Sequence, residues 1–208
     1  MLFFSNYCRS NARLVGKTVV ITGANCGIGK ETARDLYRRG AKVILACRDI
    51  NKAEEAVNDI KEHSSRSTQD SEDEAGQLEI YQLNLSSLTS IKKCAQRLLT
   101  NESTINILIN NAGVFLHPFE KTEDGFETHF QVNYLGHFLL TLLLLPKIQK
   151  SAPDSKIINV SSVAHKFSDI YMEDLNLERS YSPLKAYCQS KLANILFTKE
   201  LDKKLKSK

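Results

Sequence analysis

Short apolar runs rich in β-branched residues alternate along the chain with longer segments whose apolar positions recur every three or four residues. K-T-V-V-I-T (Lys17 to Thr22), K-V-I-L-A-C (Lys42 to Cys47), L-E-I-Y-Q-L (Leu78 to Leu83), I-N-I-L-I (Ile105 to Ile109) and K-I-I-N-V (Lys156 to Val160) read as strands. Helical patterns fit between them. One runs from about Gly27 to Arg39 and is closed by Gly40. Another opens at D-I-N-K-A-E-E-A, from Asp49, and two more span Ser87 to Leu99 and Glu123 to Lys150. The apolar run A-Y-C-Q-S-K-L-A-N-I-L-F, from Ala186, is helix-forming as well. Strands that are apolar almost throughout, each followed by a helix, predict a parallel sheet covered on both faces. Right-handed crossovers make this a doubly wound α/β fold of Rossmann type.

A chain of 208 residues supports one well-buried domain, 1–208. The polar, charged stretch H-S-S-R-S-T-Q-D-S-E-D-E-A-G (His63 to Gly76) is expected to be a flexible surface loop. The densest apolar run, F-L-L-T-L-L-L-L (Phe138 to Leu145), is far shorter than the ~20 residues needed to cross a bilayer. The N-terminal M-L-F-F also falls short of a signal-peptide core. These features predict no transmembrane segment and a cytoplasmic setting, free or peripheral to intracellular membranes. A net charge of +4, from 28 basic and 24 acidic residues, is too mild to argue for nucleic acid. Five cysteines form no C-x-x-C pair, which suits a reducing compartment, and the histidines show no metal-ligand spacing.

Candidate chemistry begins after the first strand, at T-G-A-N-C-G-I-G. Gly23, Gly27 and Gly29 allow a tight turn and close approach to a pyrophosphate, with Ala24, Asn25, Cys26 and Ile28 supplying the intervening backbone. The spacing G-x-x-x-G-x-G differs from the commoner G-x-G-x-x-G, but the strand before it and the helix after it favour a dinucleotide site. The second strand ends A-C-R-D, where Arg48 and Asp49 compete to meet the adenosine ribose. We assign Arg48 to a 2′-phosphate and Asp49 to the cap of the following helix, which favours NADP(H) over NAD(H). Y-C-Q-S-K sets Tyr187 and Lys191 four residues apart, on one helix face.

These two motifs, with N-N-A-G (Asn110 to Gly113) between them, resemble the short-chain dehydrogenases/reductases over nearly the whole chain. A-C-R-D, F-Q-V-N-Y-L-G-H-F-L-L-T, N-V-S-S-V-A-H and A-Y-C-Q-S-K-L-A-N are similar to the retinol dehydrogenase branch. The resemblance implies an NADP-dependent oxidoreductase interconverting retinol and retinaldehyde, or another lipophilic alcohol and carbonyl. It implies catalytic roles for Asn133, Ser162, Tyr187 and Lys191. Tyr187 would exchange a proton with the substrate oxygen, its phenolate favoured by the ammonium of Lys191 and the positive charge of the oxidised nicotinamide. Lys191 would also bond the nicotinamide ribose, Asn133 would hold a water, and Ser162 would donate to the substrate oxygen, with Ser161 a rival. Asn110, Ala112 and Gly113 would edge the cofactor site, although the asparagines could equally pin neighbouring strands together.

Two departures from the family pattern bear on function. Asn84, in L-N-L-S-S, stands where the family often has an aspartate that accepts from the adenine amino group; an amide oxygen can still accept. Family members also continue beyond the Tyr187 helix into further strands and a substrate-covering lid, and the branch usually carries an N-terminal hydrophobic anchor. A second reading is therefore a shortened, catalytically weak homologue acting by cofactor binding or subunit pairing. The apolar faces of F-L-L-T-L-L-L-L and L-A-N-I-L-F permit a homodimer, though core packing explains them equally. A nucleotide-sugar epimerase is disfavoured, because that branch typically has G-x-x-G-x-x-G.

Overall fold

The computed structural model describes residues 8, 10–65 and 75–206. Strands β1 (Thr18–Thr22), β2 (Lys42–Cys47), β3 (Gln77–Gln82), β4 (Ile107–Asn110) and β5 (Lys156–Asn159) form one sheet in the order β3-β2-β1-β4-β5. Every pairing is parallel, with Val20 beside Ile44 on one side and beside Leu108 on the other. Helices α1 (Gly27–Arg38), α2 (Ile50–Ser65) and α3 (Leu88–Asn101) make the early crossovers. A single turn α4 (Thr128–Phe130), a π-helical turn (Gln131–Leu135) and α5 (Gly136–Lys150) follow β4 as one rod, and α6 (Pro183–Lys206) closes the described chain. This is the doubly wound Rossmann-type fold expected from the pattern.

Alternation along the central strands builds two cores. Val19, Ile21, Val43 and Leu45 pack toward α1 and α2 with Ala33, Ala53 and Ile60. Val20, Ile44 and Leu108 pack toward α3 and α5 with Ile91, Leu98, Leu140 and Leu144. Successive residues of a strand face opposite sides, so both faces of β1 and β2 must be apolar, as they are. β3 and β5 are the two edges of this sheet, and Ile158 on β5 is 44% exposed.

Two segments differ from the sequence expectation. The helix expected from Glu123 starts at Thr128, because the Glu127 carboxylate accepts from the amides of His129 and Phe130 at 2.9 and 2.8 Å and so caps the helix. Residues just before it form a turn in which Thr122 N–H donates to Phe126 O and Gly125 N–H to Thr122 O. The loop expected from His63 is still helical through Ser65, held by a hydrogen bond from Arg38 Nη2 to His63 O at 3.0 Å. Residues 66–74 of that expected loop lie outside the described residues.

Candidate active site

The chain winds from β1 outward through β2 and β3, then crosses to β4 on the far side of β1. Such a reversal opens a crevice beyond the carboxyl ends of the strands, where ligands of doubly wound sheets bind. A cleft of about 560 Å³ lies there, lined by the loops that follow β1, β2, β3 and β4.

The glycine loop forms its floor. Gly27, at the start of α1, has φ +53, and a Cβ added to it would meet nothing within 4 Å, so the backbone lies open toward the cleft. Gly29 is held to hydrogen for the opposite reason: a Cβ there would come within 2.5 Å of both Asn111 Nδ2 and Gly23 O. Cys26 at the helix N-cap makes no side-chain hydrogen bond to the first turn. The free amides and the positive end of the helix dipole therefore suit a pyrophosphate. Asn25, Ile28, Arg48, Asn84, Ala112 and Gly113 also line this cleft. Asp49 Oδ1 accepts from Lys52 N–H at 3.1 Å and caps α2, and Arg48 and Lys52 are the cations lining the cleft beside it. The Asn84 amide oxygen already accepts from Ser86 N–H at 3.0 Å, so one lone pair remains for a ligand.

Of the residues expected at the cofactor, Tyr187 and Lys191 stand on α6 outside the cleft lining, and Ala24 and Asn110 do not line it either. Ala24, within the glycine loop, is fully buried. Asn110 turns inward from the end of β4 and donates through Nδ2 to Thr141 Oγ1 at 2.9 Å and to Asn159 Oδ1 at 2.7 Å. It braces β4, β5 and α5 from behind the site, and its Oδ1 is buried without a partner among the described residues. Its neighbour Asn111 faces the cleft instead, donating to Thr22 O at 3.0 Å.

A second, apolar cleft of about 430 Å³ adjoins α6, with Phe115, Val163, Phe167 and Leu184 as walls and Ser162 and Tyr187 among its lining residues. Tyr187 is half-buried and meets the Phe115 ring edge-on at 4.7 Å. Lys191, one turn further along α6, is buried, with Nζ 5.5 Å from the Tyr187 ring centre and donating to Val160 O at 3.2 Å. Burial pushes the Lys191 ammonium below its ordinary range. A Cβ on Gly113 would lie 3.6 Å from Lys191 Nζ and 3.2 Å from Asn133 Oδ1, so the rim of the glycine-loop cleft touches both groups.

The two serines part company. Ser161 Oγ donates to the Lys191 carbonyl at 2.9 Å, stitching the end of β5 to α6. Ser162 Oγ accepts from Ala164 N–H at 3.2 Å, and its residue lines the apolar cleft with Tyr187.

Asn133 sits in the π turn, fully buried. Its Oδ1 accepts from Val114 N–H at 2.8 Å, and its Nδ2 donates to Val114 O at 3.1 Å and to Ser190 Oγ at 3.0 Å. Its carbonyl, out of the α-helical ladder, accepts from Asn194 Nδ2 at 3.1 Å and lies 3.0 Å from His137 Nδ1. Turns of this kind recur at functional sites because they free a backbone group for other partners.

Thr22 and His137 escape sequence reasoning, which places Asn111 with Asn110 at the ligand edge of β4 or as a pin between strands. The Thr22 hydroxyl accepts from Asn111 and Ala112 N–H at 2.9 and 3.0 Å, so its own hydrogen goes to His137 Nε2 at 2.8 Å. His137 Nδ1–H then donates to Asn133 O. A neutral imidazole thus links the glycine loop, the N-N-A-G segment and the π turn. Burial lowers the His137 pKa from 6.5 to about 4, with the nearby Lys191 charge acting in the same direction. The one sequence signal was its position, four residues after Asn133 on the same helix face.

Among the described residues no helix is long and apolar enough to cross a membrane. Human retinol dehydrogenase 12 is 52% identical over 203 residues, covering 98% of this chain and 61% of that protein. Human retinol dehydrogenase 13 is 51% identical over 199 residues, covering 95% of this chain and 57% of the relative. The chain thus spans about three-fifths of the length of these curated relatives. Among solved structures, an uncharacterized protein from Mycobacterium Paratuberculosis superposes with a TM-score of 0.76 at 43% identity, covering 94% of this chain and 65% of its own. The Pseudomonas aeruginosa RhlG/NADP active-site complex gives 0.71 at 25% identity, covering 96% of this chain and 70% of its own. The sequence pattern of the short chain dehydrogenases matches residues 17–208, and the chain belongs to that family.

Proposed function

We propose that this protein is an NADP(H)-dependent oxidoreductase that interconverts an alcohol and an aldehyde or ketone, with retinol and retinaldehyde, or another lipophilic pair, as its substrates. The observation that carries the reading is one helix face that stands between two clefts. Tyr187 and Ser162 line an apolar cleft, while Lys191, on the Tyr187 helix face, reaches the rim of the dinucleotide cleft at Gly113. NADP(H) bound there would supply or accept the hydride. Gly27, Gly29 and the uncapped start of α1 would hold its pyrophosphate, and Arg48 its 2′-phosphate.

The protein's own groups handle the proton and the charge. In reduction the Tyr187 hydroxyl donates a proton to the carbonyl oxygen, and in oxidation the phenolate takes it from the alcohol. Lys191 sets its ammonium 5.5 Å from the Tyr187 ring centre, one helical turn along α6. Ser162 hydrogen-bonds the same substrate oxygen, while Ser161 is already engaged with the Lys191 carbonyl. Asn133 braces the wall by fixing Val114 and Ser190. The walls Phe115, Val163, Phe167 and Leu184 favour a lipophilic substrate, and the names of the relatives point to a retinoid. Exposed Leu142 on α5 and Leu196 on α6 leave room for a homodimer through those helices, which sedimentation would detect.

The test is an NADPH fluorescence titration beside a retinaldehyde-reduction assay, on wild type and Arg48→Ala. We expect binding and turnover, with Arg48→Ala weakening NADPH roughly ten- to hundredfold and NADH hardly at all. Equal losses for both cofactors would remove the Arg48 assignment. NADPH binding without turnover of any lipophilic aldehyde would overturn the enzyme reading and leave a cofactor-binding homologue.

A further inference from the structure

We propose that Tyr181 and the buried Glu127–His129 pair are positioning residues, which hold the segment Phe115–His117 in a disfavoured backbone conformation so that Phe115 walls the apolar cleft beside Tyr187. The inference deepens the functional reading above, because it concerns the substrate cleft of that same site.

Leu116 is the point of strain. It has φ +52, a left-handed conformation that a leucine rarely adopts. Packing does not impose it, since Leu116 is 52% exposed and Phe115 60%. The constraint comes from both flanks. Upstream, the N–H and carbonyl of Val114 are both held by the Asn133 amide. Downstream, the His117 peptide is gripped from two sides: its N–H donates to His129 Nε2 at 3.1 Å, and its carbonyl accepts from the Tyr181 hydroxyl at 2.5 Å. Between these clamps the chain can bring the Phe115 ring against Tyr187 while His117 lines the dinucleotide cleft.

The downstream clamp is itself fixed. Because His129 Nε2 accepts, the imidazole hydrogen sits on Nδ1 and is donated to Glu127 Oε1 at 2.7 Å. The Glu127 carboxylate is also fixed by the His129 and Phe130 amides, and its own N–H donates to Asn176 Oδ1 at 2.9 Å. Both side chains of the pair are almost wholly buried. Burial and the Glu127 charge push the Tyr181 phenol up to about 12, so it remains a donor across the neutral range. Its ring also packs on Phe119 at 5.0 Å, a contact that a phenylalanine would keep. A buried carboxylate and histidine set beside a strained, exposed loop are an expensive arrangement for a surface connection. The cleft wall they aim explains them.

The experiment compares wild type, Tyr181→Phe, Leu116→Asn and the double variant. The probes are cis-parinaric acid for the apolar cleft, NADPH for the cofactor cleft and retinaldehyde for turnover. Tyr181→Phe removes only the clamp's hydroxyl, and is expected to weaken parinaric acid binding and raise the retinaldehyde KM by roughly fivefold, with NADPH affinity changed by less than about twofold. Asparagine enters the left-handed region more readily than leucine, so Leu116→Asn in the Tyr181→Phe background should restore most of the lost affinity. A merely structural Tyr181 would lower the melting temperature with no such rescue. Equal parinaric acid affinity in wild type and Tyr181→Phe, or a loss that Leu116→Asn leaves uncorrected, overturns the clamp. A wild type that takes up no parinaric acid overturns the Phe115 wall. Parinaric acid binding with no turnover of retinaldehyde or any other lipophilic aldehyde refutes the enzymatic reading alone and leaves the clamp standing.

Discussion

His137 offers a sharp physical test, because it joins three segments of the site and titrates far from its ordinary range. The side chain is 2% exposed and lies between the Thr22 hydroxyl, which donates to Nε2, and the Asn133 carbonyl, which accepts from Nδ1. Protonating Nε2 would set two hydrogens against each other in a dry site near the Lys191 ammonium. Burial first, and that charge second, lower the pKa from 6.5 to about 4. Between those values the unfolded chain binds a proton at His137 and the folded protein does not, so stability is lost as the pH falls. At ~1.4 kcal/mol per unit, the contribution is complete above pH 6.5 and falls by about 3 kcal/mol as the pH drops to about 4. Depressed carboxylates interfere little in the upper part of this window. Asp59 is held down by the Lys30 hydrogen bond, Asp174 by the Arg179 amide and Glu178 by the Lys121 hydrogen bond, and each yields its contribution only below the ordinary carboxylate range. The assay is urea unfolding at intervals from pH 7.5 to 4.5, for wild type and His137→Gln. The variant should be less stable at neutral pH and should lack most of the wild-type slope below pH 6.5. Parallel curves would refute the buried neutral imidazole and the bridge built on it.

Other substitutions separate chemistry from architecture. Tyr187→Phe should lower kcat/KM for the aldehyde roughly 10²–10⁴-fold, with NADPH affinity within about twofold of wild type by fluorescence titration. Ser162→Ala should reduce kcat about 10–100-fold, whereas Ser161→Ala should cost about 1 kcal/mol in urea unfolding and little turnover, because its hydroxyl is bonded to Lys191 O. Reversed effects would exchange the roles of the two serines. Gly29→Ala drives a Cβ into Asn111 Nδ2 and Gly23 O, each 2.5 Å away. It should cost about 1–3 kcal/mol in unfolding and weaken NADPH binding; unchanged binding would show that the loop yields.

The layered fold was legible because each central strand needs apolar residues on both faces, and uninterrupted runs such as V-V-I and V-I-L-A say so directly. The start of the long helix was not. Glu123 and Asp124 suit a first helical turn, but the capping carboxylate is Glu127, and its role depends on His129 and Asn176 being brought to it. The π turn was equally hidden, since nothing within Q-V-N-Y-L announces it. It is held by His137 within the rod and by Asn194, 61 residues further along the chain.

The same division runs through the site. Tyr187 and Lys191 could be paired because four residues make one helical turn, so their proximity is written into local sequence. Thr22 and His137 are 115 residues apart, and only the parallel sheet brings them within 2.8 Å. The asparagine pair after β4 shows the limit most clearly. On extended backbone, adjacent side chains point to opposite sides, so one of Asn110 and Asn111 had to face the cleft and the other the interior. Sequence fixes that they differ without saying which is which. The register of β4 against β5 decides it: Asn110 stands beside Asn159 and donates to its amide oxygen, which leaves Asn111 to meet Thr22 at the floor of the cleft.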